Sequence, residues 1–301
     1  MPQAEWRTRF APAPTGHLHL GHLVNALYVW GLAHRFGGKV ILRIEDHDRS
    51  RCRPEYEQSV LDDLDWLGFA PDIAPTAAYR ARHSPDAFRQ SDRDAVYAEA
   101  LATLDRRGLV YACACTRREI SLLVPHGAGE EPRYPGTCRG RSIDVTATTA
   151  RRVIMDPGSE SFDDLRLGAV TNEPALQCGD LLVRDRAGNW TYQFAVTVDD
   201  WTQHVSVVVR GEDLLSSTAR QLRLARLLGR AVSPLYLHHP LLVHPDGVKL
   251  SKANGDTALG ARRAAGASAE QLIGEAAFLC GLLEAPKTLS ARDVPMLFTY
   301  R

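Results

Sequence analysis

The chain has 301 residues, enough for one large domain with an inserted subdomain. Hydrophobic residues make up 45% and charged residues 24%, which excludes a disordered chain, and no apolar stretch reaches the ~18 residues of a membrane span. Lys plus Arg is 36 and Asp plus Glu is 36, so any nucleic acid must be gripped by a local patch and not by the field of the whole protein. The N-terminus lacks a basic stretch followed by an apolar core, so a cytoplasmic location without membrane contact is expected.

Arg7 to Ala11 reads as a strand. Gly21 to Phe36 reads as a helix, with Leu23, Ala26, Leu27, Trp30 and Ala33 at helical spacing. Beyond Gly37-Gly38 the run Lys39 to Ile44 reads as a buried strand. Pro54 suits a first helical turn, and Tyr56 to Leu67 is an amphipathic helix ending at Gly68. Asp86 to Arg107 reads as a longer helix stopped by Gly108. Strand, helix, strand with short joints indicates a parallel α/β sheet. Between about Ala112 and Arg141 the pattern breaks into Cys, Gly and Pro, and an insertion is expected there. Val153-Ile154-Met155 and Leu181-Leu182-Val183 return as strand-like pieces, and the apolar run Val205 to Val209 reads as a buried strand. Leu214 to Leu228 and Ala269 to Leu283 complete the expected helices.

Chemistry is concentrated in two segments. Ala13-Pro14-Thr15-Gly16-His17-Leu18-His19-Leu20-Gly21-His22 follows a strand and leads into a helix. Unpaired N–H groups and the helix dipole favour an anion there. Gly16 and Gly21 let a nucleotide approach the backbone, and His19 and His22 can donate to phosphate oxygens as charge builds on them. Far along the chain, Val248-Lys249-Leu250-Ser251-Lys252 offers two compact cations for a leaving pyrophosphate.

The two segments together, in this order, resemble the signature of class I aminoacyl-tRNA synthetases. Arg9-Phe10-Ala11-Pro12, Leu42-Arg43-Ile44-Glu45-Asp46, Val198-Asp199-Asp200, Val209-Arg210-Gly211-Glu212-Asp213-Leu214 and His238-His239-Pro240-Leu241-Leu242 are similar to the glutamyl branch of that class. The resemblance runs from Arg9 to Lys252. It implies an α/β, Rossmann-type, mostly parallel sheet, with residues 1–111 and 179–256 as the two halves of the catalytic domain. Residues 112–178 would form an inserted zinc-binding and acceptor-binding subdomain, and 257–301 a short helical C-terminal segment. It further implies that Arg9, Glu45, Tyr192 and Arg210, with the backbone stretch Phe10, Ala11, Pro12 and Ala13, hold L-glutamate. Two arginines can each fork onto a carboxylate, and the substrate has two. ATP, with magnesium, would lie on Pro12, Thr15, Gly16, His19, Gly21, His22 and Lys252. His19, His22, Lys249 and Lys252 would stabilise the charge as the substrate carboxylate attacks the α-phosphate in line.

Only about 50 residues follow the lysine segment, too few for an anticodon-binding domain. The chain therefore resembles the truncated paralogues of glutamyl-tRNA synthetase, which pass glutamate to queuosine in the anticodon arm of tRNA(Asp); a monomer is expected. Val196 agrees, since that branch carries an apolar residue where the full-length enzymes have Asn. Of the six cysteines, Cys113, Cys115 and Cys138 fall in one short segment, which is the spacing of a metal site more than of a disulfide framework. With Tyr134 they are similar to the structural zinc site of those paralogues, and two close ligands plus a distant pair suit a tetrahedral ion. Tyrosine is an unusual ligand, and His126 is an alternative. The chain departs from the family at Ala13 and Ala253, where the family has Ser, and at His22, where the paralogues often have Ser. Two rivals stand beside this expectation: a compact synthetase charging the 3′ end of tRNA, and a catalytically inactive RNA-binding paralogue.

Overall fold

The structure is a computed structural model and describes residues 5–81, 84, 86, 88–124, 132–242 and 257–299. In chain order the elements are β1 (Arg7–Phe10), α1 (Leu20–Arg35), β2 (Lys39–Leu42), α2 (Pro54–Leu67), α3 (Thr76–Arg80), α4 (Asp94–Arg106), β3 (Val110–Cys113) and α5 (Arg117–Leu123). There follow β4 (Ala150–Val153), β5 (Glu160–Asp164), β6 (Gly168–Asn172), α6 (Pro174–Cys178), β7 (Leu181–Arg184) and α7 (Tyr192–Thr202). The last are β8 (Val207–Gly211), α8 (Leu215–Leu227), β9 (Leu235–His239), α9 (Leu259–Ala264) and α10 (Ala269–Leu279). No helix among the described residues is long and apolar enough to cross a membrane.

The chain divides into two compact units, one of Met1–Asp92, Val205–Asp213 and Tyr236–Arg301, the other of Arg93–His204 and Leu214–Leu235. In the first, β1 and β2 pair in parallel, Arg9 opposite Ile41 and Phe10 opposite Leu42. Ser206 N–H donates to Arg7 O at 3.0 Å and the Arg9 guanidinium reaches Val209 O at 3.1 Å, so β8 runs beside β1 in the same direction. Helix α1 is buried almost all round, from Leu23 and Val24 to Leu32 and Ala33, because strands cover one side while α10 and the turn Val294–Leu297 cover another. Phe298 lies so close to Gly31 that a Cβ there would meet its ring at 2.1 Å. Each large side chain buried in this core contributes about 1.5–3 kcal/mol.

In the second unit β3, β4 and β7 form an antiparallel sheet, and β5 and β6 an antiparallel hairpin. Its core gathers Tyr97, Trp190 and Phe194. The Asp199 carboxylate at its centre accepts from Arg93 Nε at 2.6 Å and Tyr97 Oη at 2.9 Å. In the first unit β1 and β2 run parallel as expected, whereas the antiparallel neighbours joined by short links such as the 165–167 turn belong to the second unit, so the fold is mixed α/β with a parallel sheet.

Two further expectations change. The helix expected from Asp86 begins at Asp94, because the chain before it is held extended: Ile44 N–H donates to Phe88 O and Gln90 N–H to Ile44 O. The strand expected over Val205 to Val209 lies two residues further on, as β8.

Candidate active site

In open parallel sheets, ligands meet the carboxyl ends of the strands, and Arg9, Arg210 and Glu45 lie on β1, on β8 and just after β2. Arg9 sits on β1 and Arg210 near the end of β8, 4% and 3% exposed. The Arg9 guanidinium is held against β8 by Val209 O. Arg210 Nε donates to His238 Nε2 at 3.2 Å. A guanidinium never accepts, so in the neutral ring of His238 the proton stands on Nδ1. Glu45 follows β2, its N–H donating to Pro12 O at 3.0 Å. Its Oε1 accepts from Arg43 Nη2 at 2.9 Å, a pair whose side chains are 0% and 8% exposed.

The segment joining β1 to α1 passes the same edge. Phe10, Pro12 and Gly16 are buried, whereas Ala11, Ala13 and Thr15 are half-buried, with Thr15 N–H closing a tight turn on Ala13 O at 2.8 Å. His19 is the N-cap of α1. Its Nδ1 accepts from Gly21 N–H at 3.1 Å, and His22 Nδ1 accepts from His19 N–H at 3.2 Å, a reciprocal box made from two histidines. Their ring centroids are 4.0 Å apart. Because both Nδ1 atoms accept, both neutral rings carry their proton on Nε2. Gly21 leaves room for this arrangement, since a Cβ would stand 2.9 Å from His19 Cε1 and displace the ring.

Among the residues singled out from sequence, Arg9, Glu45, Arg210, His19, Gly21 and His22 thus belong to one compact unit. Tyr192 begins α7 in the other unit. Lys249, Lys252, Ala253 and His126 lie outside the described residues. Arg43 and His238 escaped the sequence reading as functional partners. The i, i+2 spacing of Arg43 and Glu45, in the segment just after β2, is the available signal for the first; nothing local announces the second.

Within the second unit, the sulfurs of Cys113, Cys115 and Cys138 all lie within 4.8 Å of one another. Cys115 Sγ is 3.5 Å from Cys138 Sγ, and Tyr134 Oη is 3.4 Å from Cys113 Sγ and 3.9 Å from Cys115 Sγ. A tetrahedral zinc with bonds of about 2.3 Å spreads its sulfurs by roughly 3.8 Å, so the donor set fits such an ion. Burial pushes the Cys138 thiol up, but hydrogen bonds from Tyr134 and the Ala114 backbone outweigh it and bring it down to about 7. Burial and Cys138 push Cys115 up to about 11, and burial raises the Tyr134 hydroxyl. Tyr134 is pinned by its own N–H to Cys178 O at 2.9 Å and by Gly179, where a Cβ would stand 2.0 Å from Tyr134 O.

Residues 5–279 match the family described as tRNA synthetases class I (E and Q), catalytic domain. A protein named glutamyl-Q tRNA(Asp) synthetase from Symbiobacterium thermophilum is 41% identical, over 96% of this chain and 91% of its own. One of the same name from Cupriavidus metallidurans is 42% identical over 85% of this chain and 80% of its own. Among solved structures, a glutamate tRNA ligase from Elizabethkingia meningosepticum in complex with its amino acid superposes with a TM-score of 0.79 at 28% identity. The match covers 98% of this chain and 65% of that one. Motif, sheet edge and relatives converge, and the chain belongs to the class I aminoacyl-tRNA synthetases of the glutamyl and glutaminyl type, a family of ligases.

Proposed function

We propose that the protein activates L-glutamate with ATP, without needing tRNA, and passes the glutamyl group to queuosine at the wobble position of tRNA(Asp). The observation that carries the first step is the pair of buried guanidiniums, Arg9 and Arg210, on adjacent strands of one compact unit that also holds Glu45. A guanidinium can fork onto a carboxylate, and a dicarboxylate offers one carboxylate to each arginine. Glu45 suits the α-ammonium, and Tyr192 adds a hydroxyl and an apolar wall. The α-carboxylate oxygen attacks the α-phosphorus of ATP, which arrives with its magnesium, and the bond to pyrophosphate breaks. The Nε2–H groups of His19 and His22 stabilise the charge on the phosphoryl oxygens, over the backbone of Pro12, Thr15, Gly16 and Gly21. Lys249 and Lys252 neutralise the pyrophosphate. No side chain acts as nucleophile; positioning and charge supply the rate. In the second step a hydroxyl of the queuosine cyclopentenediol attacks the acyl carbon and AMP leaves.

The acceptor rests on the names of the relatives from Symbiobacterium and Cupriavidus. A structural zinc on Cys113, Cys115, Cys138 and Tyr134 belongs to the same proposal. Zinc would supply no chemistry to the reaction there; it ties three parts of the chain together.

Glutamate-dependent exchange of pyrophosphate into ATP, run without tRNA, tests activation. Labelled glutamate offered to tRNA(Asp) with and without queuosine tests the acceptor. Ester formation only on the queuosine-bearing tRNA is expected. Charging of tRNA(Glu), or of tRNA(Asp) regardless of queuosine, points instead to a 3′-end synthetase, and absence of exchange to an inactive RNA-binding paralogue.

A further inference from the structure

Beside the cysteine cluster lies a charge that the described residues leave uncompensated. Arg152, on β4, is 7% exposed. Its Nη1 donates to Asp180 O at 2.8 Å, its Nε donates to Cys113 Sγ at 3.4 Å, and its guanidinium carbon stands 3.7 Å from the centroid of the Tyr134 ring. A carbonyl, a thiol and an aromatic face are all polarisable or polar, but none is an anion. No carboxylate forms an ion pair with Arg152 among the described residues. The nearby Asp180 carboxylate is spent elsewhere: Oδ2 accepts from Tyr111 Oη at 2.6 Å, Oδ1 from Met155 N–H at 2.9 Å, and Arg139 Nη1 lies 3.6 Å from Oδ1. A buried charge without a counter-charge costs several kcal/mol, yet this one donates to a thiol of the cysteine cluster.

We propose that Arg152 is the counter-charge and positioning residue of a thiolate metal site formed by Cys113, Cys115 and Cys138. Three thiolates carry one more negative charge than a dication neutralises, and the single guanidinium supplies the difference. Its hydrogen bond to Cys113 Sγ strengthens when that sulfur becomes a thiolate. Its stacking on the Tyr134 ring holds the phenol beneath the cluster, with Tyr134 Oη also fixed by Cys138 N–H at 2.9 Å. The assignment does not depend on which amino acid or acceptor the enzyme uses. Partners of metal ligands of this sort typically alter metal affinity by about 10- to 100-fold.

The test uses the full chain stripped of metal and titrated with cobalt(II), whose thiolate charge-transfer absorption reports binding, and with zinc in competition with a chromophoric chelator. Arg152→Gln keeps a donor and removes the charge; it weakens both metals by about 10- to 100-fold. Arg152→Lys keeps the charge and recovers most of that loss. Thermal unfolding adds a readout that a merely structural arginine would not give. Without metal, Arg152→Gln is at least as stable as the parent, because an uncompensated charge has been removed; with metal it is less stable. Four results overturn the proposal: a parent chain that binds neither metal, a Gln variant binding within twofold of the parent, a Lys variant no better than Gln, or a metal-free Gln variant that is destabilised or unfolded.

Discussion

Replacing Gly21 with alanine tests how closely the helix cap and the chemistry are joined. The added Cβ would stand 2.9 Å from His19 Cε1 and 3.1 Å from Nδ1. The imidazole is the movable partner, so the ring turns away and its acceptor bond from residue 21 is lost. Loss of an N-cap costs about 1 kcal/mol, and alanine in place of glycine in a helix returns up to about 1 kcal/mol. Stability therefore changes by no more than about 1 kcal/mol. Displacing a charge-stabilising donor by about 1 Å lowers turnover on the order of 100-fold. Glutamate-dependent pyrophosphate exchange, measured alongside denaturant unfolding, should show that split. The double variant with His19→Ala should be little slower than His19→Ala alone, because both changes remove one donor. Exchange within threefold of the parent, or a stability loss above about 3 kcal/mol, would refute the reasoning.

Three other outcomes follow from particular contacts. Burial pushes the Asp63 carboxyl up to about 6, with Arg263 pulling it down and Asp62 pushing it up. The folded chain thus holds this proton more tightly than the unfolded one, so its penalty is absent below about pH 4 and grows to on the order of 3 kcal/mol above pH 6. Asp63→Asn should be about 2 kcal/mol more stable than the parent at pH 7.5 and equal near pH 4; urea unfolding that shows no gain at pH 7.5 contradicts this. Gly179→Ala forces a Cβ to 2.0 Å from Tyr134 O at a φ of +65°, and should cost about 2 kcal/mol or more and lower zinc retention in dialysed protein. Arg210→Lys cannot reproduce a forked contact; the KM for glutamate should rise at least tenfold while that for ATP stays within about threefold, and an equal rise in both would place Arg210 elsewhere.

What sequence alone revealed, and what it hid, has a physical pattern. Helix α1 was readable because its apolar positions recur at helical spacing, and α2 because Pro54 and Gly68 punctuate it. The hairpin β5–β6 was invisible because the inward face of β5 is Glu160, Phe162 and Asp164, all buried; the usual code of apolar inside fails there. Glu160 is tolerated because Arg223 bonds it and Arg226 Nη1 lies 2.7 Å from Oε2, residues over 60 positions away. The start of α4 is hidden for a similar reason, since the backbone of Ile44 pairs with Phe88 and Gln90 and keeps that stretch out of the helix. In the site, the histidine motif marks a place but not its geometry: the reciprocal cap between His19 and His22 appears only when the helix start is known. His238 stands out in the sequence only within a family motif, since its link to Arg210 spans 28 residues.

The bond from Arg9 to Val209 O closes a span of 200 residues, and this bears on how the protein is made. Strand β1 leaves the ribosome early, while β8, its neighbour, follows only after the whole of 93–204. At about 5–20 residues per second, that interval is on the order of 10–40 s. Over the later part of it, while 93–204 is being made, β1 and β2 wait with one backbone edge open and an arginine destined for burial still in solvent. The chain is therefore most exposed to mispairing during its own synthesis, and a ribosome pause before Val205 would lengthen that window.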